Sequence, residues 1–243
     1  MENKGEYFLV DGGGGNPILS QLKKAKINLF GIKHIFISHK HTDHILGIVW
    51  VLRWLTHGIK SGKVESAEAI NVYASAETLG IVKQLCNLLL NQRYLVEVEK
   101  MNFIPILDNE TREICGMSVR FFDILSKKDE QFGFDINDKF FVFAGDEPLN
   151  ELFFEKFMNC EWLIHESFCL DSEKEIFNPY EKTHCTVVDA GKVAKALNAK
   201  NLIIWHTADN QLATRKENYT KEAKQVFDGN VFVPDDLDVI TLL

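Results

Sequence analysis

Residues 34–44 read HIFISHKHTDH, and this stretch decides how the rest of the chain is read. His34–Ser38 is an apolar run of strand length. Four side chains able to bind a metal, His39, His41, Asp43 and His44, follow within six positions. From Ile45 to Leu55 apolar residues recur at helical spacing, which predicts a helix with little exposed face. A buried strand ends, a short loop turns and a buried helix begins, so these side chains gather at one sheet edge. His39 and His41 sit two apart in an extended loop and point the same way. Asp43 and His44 open the helix, where they can face a second ion. Imidazole nitrogen and carboxylate oxygen are ligands that zinc, manganese and iron accept. The plainer reading is a polar capping loop in which Thr42 or Asp43 caps the helix and the histidines are solvated. A cap needs one such residue, not four.

Working outward, two other strand ends carry chemistry. Lys139–Ala144 (KFFVFA) runs into Gly145-Asp146-Glu147-Pro148, where the glycine permits a tight turn and Asp146 is presented at the strand terminus. Asn201–Trp205 is followed by His206-Thr207. Either alone is weak, because G-D-x-P is also an ordinary turn and a lone histidine is more often structural. Further strands are expected at Tyr7–Val10, Ile70–Ala74, Leu95–Glu99, Met117–Leu125 and Trp162–Glu166. Helices are expected at Gln21–Ala25, Glu77–Asn91, Asn150–Met158, Val187–Leu197 and Thr220–Phe227. Strands first, then strands mixed with helices, suggest two sheets face to face with helices outside. No linker or repeat interrupts the chain, so residues 1–243 are expected to form one domain.

The composition excludes several classes. With 46% hydrophobic and 26% charged residues over 243 positions, the chain is neither disordered nor collagen-like. A formal charge of −8 offers no general attraction to polyanions, so any nucleic-acid chemistry must be local, through bound cations or a small patch. Five cysteines without C-x-x-C spacing, and no signal peptide, read as reduced thiols in a cytoplasmic protein. The apolar stretch Ile45–Leu55 is too short to cross a bilayer, and no membrane partner is expected. His34 and His57 are given structural or solvent roles. Trp50, Trp54, Trp162 and Trp205 are assigned to the core. The Gly12–Gly15 run lacks the phosphate-loop pattern and lets backbone pass close beneath the metal rim.

In this order the residues resemble the metallo-β-lactamase superfamily, and within it the ribonuclease Z-like phosphodiesterase branch. The H-x-H-x-D-H signature matches His39, His41, Asp43 and His44; the G-D aspartate matches Asp146 and the last histidine His206. Leu163-Ile-His165-Glu166-Ser resembles the branch's L-x-H-E-A segment. Lys182-Thr-His184-Cys-Thr186 resembles its H-S-T-x-x-A segment. The resemblance implies an α/β, four-layer αββα sandwich with two divalent metal ions, zinc first and manganese or iron as alternatives. His39 and His41 are then ligands of the first ion, and Asp43, His44 and His206 of the second, with Asp146 bridging them. A hydroxide between the ions is the implied nucleophile, with Asp43 orienting the water. Glu166 is implied to orient His184, which protonates the leaving oxygen.

Three departures shape the expectations. The branch's further metal-binding histidine, in the strand region before a G-[FY] pair, has no counterpart in Phe122–Phe134, so a weak first site is expected; Asp123 or Ser126 are the nearby candidates to substitute. Only 17 residues separate Glu166 from His184, leaving no room for the arm that grips transfer RNA. Transfer RNA is therefore not the expected substrate; a small or single-stranded phosphodiester is. The strand and L-G-T-G-like turn that open the branch are not found ahead of Asp11. The sandwich is expected without its first N-terminal strands, with an edge that favours a homodimer. Two other functions stay open: an acyl hydrolase (thioester, lactone or lactam) of the same superfamily, and a metal-binding module with little catalysis.

Overall fold

The computed structural model describes all residues except Asp209, Gln211 and Leu243. The chain divides into two compact units, Met1–Met117 and Ser118–Leu243. Among the described residues there are eight α-helices, none long and apolar enough to cross a membrane.

The first unit is a five-stranded sheet in the order β1-β2-β3-β4-β5. Its strands are β1 (Glu2–Asn3), β2 (Glu6–Val10), β3 (Ile32–Phe36), β4 (Asn71–Ala74) and β5 (Asn102–Pro105). Only the β1–β2 pair is antiparallel. Parallel neighbours need crossovers, supplied by α1 (Pro17–Lys24), α2 (Thr42–Lys60), and α3 (Ala76–Leu89) with α4 (Gln92–Val98). β6 (Thr111–Ile114) follows. A strand closed in on both faces reads as an unbroken apolar run, which is why Ile35, Phe36 and Ile37 are all fully buried. α2 places Ile45, Ile48, Leu52 and Leu55 in this unit's core.

The second unit carries β7 (Met117–Asp123), β8 (Phe132–Ile136), β9 (Phe141–Phe143), β10 (Trp162–Glu166), β11 (Asn201–Trp205) and β12 (Asn230–Phe232), ordered β12-β11-β10-β9-β8-β7. Pairing is antiparallel through β7, β8 and β9 and parallel from β9 to β12. Its helices are α5 (Phe154–Phe157), α6 (Lys174–Phe177), α7 (Val187–Ala196) and α8 (Arg215–Ala223). Thr186 and Asp189 form a reciprocal capping box that starts α7, and Ala190 and Ala194 bury its inner face. Each unit is thus a sheet with helices against it and a core of its own. Two such αβ halves are the ingredients of an αββα sandwich.

Several expectations need correction. Leu95–Glu99 alternates like a strand but lies in α4, because Asn91 caps that helix and Leu95 and Val98, three apart, are its buried pair. β1, β5, β6, β8 and β12 are not among the expected strands; they are short, and β8 is buried at every position, so it shows no alternation. β1 pairs along the outer side of β2, so Tyr7–Val10 is not the bare edge that favoured a homodimer. Trp50 and Trp54 are 36% and 38% exposed, not core residues. All five cysteines are free and buried.

Candidate active site

In the first unit everything is built around the end of two parallel strands. β3 delivers Ser38 and His39, and His41 is the N-cap residue of α2 with no side-chain capping bond, so the capping-loop reading fails. The rings of His39 and His41 stand 4.3 Å apart, and those of His39 and His44 4.2 Å. Asp43, in the first turn of α2, brings its Oδ2 within 3.4 Å of His44 Nε2. His39 and His44 are buried, whereas Asp43 is exposed. The structure therefore brings together the four residues of the motif.

The carboxylate of Asp11 holds this cluster in place. Its Oδ1 accepts from the Ser38 backbone N–H at 2.7 Å, and its Oδ2 from the Ser38 hydroxyl at 2.8 Å. Oδ2 also lies 2.8 Å from His44 Nδ1, and Ser38 Oγ lies 3.0 Å from His39 Nδ1. A carboxylate on one ring nitrogen fixes the tautomer and turns the other, Nε2, toward a metal. Asp11 was not foreseen as part of the site. The signal was available: β2 ends in Asp11-Gly12 as β3 ends in Ser38-His39, two adjacent strand ends. The glycine run is a close-contact device, as expected. Gly12 N–H donates to His44 carbonyl at 2.7 Å and Gly47 N–H to Gly13 carbonyl at 2.9 Å.

In the second unit Asp146 and His206 meet, with His206 Nδ1 2.9 Å from Asp146 Oδ1. Both stand just past strand ends, Asp146 following Gly145 at φ +88° and His206 itself at φ +54°. Asp146, His184 and His206 each offer one ligand-type atom, all within 4.8 Å of one another. Glu166 is fully buried at the end of β10. Its Oε1 accepts from the Cys185 backbone N–H at 2.7 Å, and its Oε2 stands 3.6 Å from His184 Nδ1, ion-pair range but longer than a hydrogen bond. The Phe168 and His206 rings each stack with the His184 ring, at 5.2 Å and 5.5 Å.

Asp123 and Ser126 each have a hydrogen-bond partner nearby. Asp123 Oδ1 accepts from Leu125 N–H at 2.8 Å. The Ser126 hydroxyl donates to Glu147 Oε1 at 2.7 Å. Gln131, also unforeseen, accepts from the Asp146 backbone N–H at 3.3 Å and so braces that turn. Thr207 accepts from Arg215 at 3.0 Å.

His165 faces away from Glu166 and holds the loop after Asp146. Its Nε2 accepts from Leu149 N–H at 3.0 Å and its Nδ1 donates to the Glu166 carbonyl at 2.7 Å, an arrangement only the neutral ring can make. Burial lowers its pKa. The native ring then binds fewer protons than the unfolded one, whose pKa is about 6.5, so stability falls as pH drops through that value. Urea unfolding midpoints measured between neutral and mildly acidic pH should decline, and His165→Gln should flatten the decline.

The donor set fits a divalent cation: imidazoles oriented from behind by a carboxylate, with carboxylate oxygens alongside. Similar proteins agree. "Ribonuclease Z" of Prochlorococcus marinus (strain AS9601) is 25% identical over 293 residues, covering 97% of this chain and 90% of that protein. "Ribonuclease Z" of Ignicoccus hospitalis is 25% identical over 287 residues, covering 100% and 91%. Among solved structures, the short form of human tRNase Z superposes with TM-score 0.73 at 19% identity, covering 100% of this chain and 91% of that one. The metallo-beta-lactamase fold protein YhfI from Bacillus subtilis gives TM-score 0.71 at 20% identity, covering 97% and 87%. These two show the shared fold. The "Beta-lactamase superfamily domain" model matches residues 7–207, so the chain belongs to this superfamily, with the metallo-β-lactamase fold and ribonuclease Z-like relatives.

Proposed function

We propose that this protein is a metal-dependent phosphodiesterase acting on a small or single-stranded phosphodiester, with residues 1–243 working as one hydrolase domain. The observation that carries it is the cluster of His39, His41 and His44 at the start of α2, locked from behind by Asp11. His39 and His41 would hold one ion, Asp43, His44 and His206 another, with Asp146 between them, and zinc suits these donors best. Bound there, divalent ions lower the pKa of a water and stabilise charge on phosphoryl oxygen. The chain's own residues do the rest. Asp43, exposed at the helix start, is placed to take a proton from the attacking water. His184 gives a proton to the leaving oxygen, and Glu166, anchored by the Cys185 amide, keeps its ring turned for that task. The missing histidine leaves the first ion fewer protein ligands than the second.

Relatives named Ribonuclease Z support phosphodiester chemistry. The aligned stretch of 293 positions exceeds the 243 residues of this chain, so that relative has segments with no counterpart here. Together with the short Glu166–His184 interval, this favours a small or single-stranded substrate over transfer RNA. The test is hydrolysis of a chromogenic phosphodiester by protein loaded with zinc or manganese, beside Asp43→Ala. Metal-dependent turnover that falls to background in the variant is expected. Absence of turnover with either metal overturns the reading.

A further inference from the structure

The acidic balance of the chain hides a strongly basic segment. Between Gly12 and Val64 there are seven lysines, one arginine and a single acidic residue, Asp43. This segment contains α2, and α2 has an exposed stripe. Asp43, Trp50, Trp54 and His57 are spaced by seven, four and three residues and so share one side of the helix. Trp50, Trp54 and His57 are exposed, two of them large aromatics that a helix normally buries.

Cations lie against Trp50 and the neighbouring Tyr94. The Arg53 guanidinium lies 5.5 Å from the Trp50 ring centroid and 5.2 Å from that of Tyr94 on α4. Arg93 and Lys60 approach Tyr94 at 4.7 Å and 5.5 Å. Trp54 lines two surface depressions. One is lined by Arg53, Trp54, His57 and Tyr94. The other runs from Trp54 to Phe30, Lys23 and Pro17, and Lys63 stands 5.2 Å from the Phe30 ring. Among the described residues, no carboxylate lines either depression.

We infer that this stripe binds single-stranded RNA and guides it toward Asp43; the inference rests on the phosphodiesterase reading above. Exposed aromatic rings offer sequence-tolerant stacking platforms, and the interleaved lysines and arginines track the phosphates. Charge chooses this occupant over a second copy of the chain, because two copies meeting here would set Arg53, Arg93 and Lys60 against one another. The geometry also gives direction. At 1.5 Å per residue, Trp54 lies about 16 Å along α2 from Asp43, a distance that a short single strand can span. The stripe would act on substrates of several nucleotides and be irrelevant to a dinucleotide.

Length dependence tests this. With zinc-loaded protein, kcat/KM is measured for an oligouridine 12-mer, a uridine dinucleotide and a chromogenic diester, and affinity for a fluorescein-labelled phosphorothioate 12-mer is read by anisotropy. Trp54→Ala and Arg53→Ala should each weaken 12-mer affinity and kcat/KM by about tenfold. Both should leave the dinucleotide and the chromogenic diester unchanged, and Trp54→Phe should keep most of the affinity. Arg53→Ala should also reduce the slope of log Kd against log salt by about 0.7. Equal losses on all three substrates, or no loss on the 12-mer, overturn the inference. So does a change of sedimentation in the variants with RNA affinity unchanged, which would make the face a contact between copies. If no phosphodiester is cleaved at all, the catalytic reading fails, while anisotropy still decides whether the stripe binds RNA.

Discussion

His184→Ala should leave turnover of a nitrophenyl phosphodiester near wild-type while lowering kcat by about 10²–10⁴-fold on a diester whose leaving group is an alcohol. An acidic phenol departs as its anion and needs no proton, whereas an alkoxide does, so the gap between the two substrates reports the general acid. The geometry makes the separation clean. Glu166 is fully buried and tied by Oε1 to the Cys185 amide, with Oε2 3.6 Å from His184 Nδ1. The imidazole also stacks with the rings of Phe168 and His206. Glu166→Gln should keep the Cys185 contact but replace the carboxylate oxygen that faces His184 Nδ1, loosening the ring's orientation and giving a smaller loss with the same substrate pattern. Metal content measured alongside separates a second role. Because His184 also lies within 4.8 Å of Asp146 and His206 by their ligand atoms, a ligand role would cost a bound ion on substitution, whereas an acid role would not. Undiminished turnover of both substrates by His184→Ala would remove His184 from the mechanism as the general acid.

The second large effect concerns a residue with no chemistry of its own. Gly47→Ala should destabilise the protein by more than about 4 kcal/mol, the range of severe single substitutions. A Cβ on Gly47 would sit 1.7 Å from the Gly12 carbonyl oxygen and 2.7 Å from its carbon. These are backbone atoms, and Gly12 is itself pinned by its bond to the His44 carbonyl. The loop cannot give way without losing Asp11, the residue that orients His44. Urea unfolding should show a large drop in midpoint, and any variant that still folds should bind a divalent metal ion more weakly. Gly80→Ala, in α3, is the control. Nothing lies within 4 Å of its Cβ position, so relief of helix-interior glycine should stabilise by about 0.5–1 kcal/mol.

The sequence by itself determined the elements that bear the chemistry. The apolar run before His39, the helical spacing after His44, and the strands ending at Glu166 and Trp205 were all legible, because local periodicity and strand-length apolar runs set them. So was the motif, since four ligand-type side chains in six positions need no partner to be noticed. What the tertiary structure decided are matters of neighbourhood. Asp11 gains its role only because parallel pairing sets the end of β2 beside that of β3, bringing a carboxylate to Ser38 and His44 across 27 and 33 positions of chain. α4 is a helix because Asn91 caps it and Leu95 and Val98 find the core, overriding an alternation that reads as a strand. Trp50 and Trp54 could not be placed from sequence, because a helix so rich in apolar residues reads as buried all round. Which side faces the core depends on what packs against it, and here the tryptophans face solvent, Trp50 against the Arg53 guanidinium.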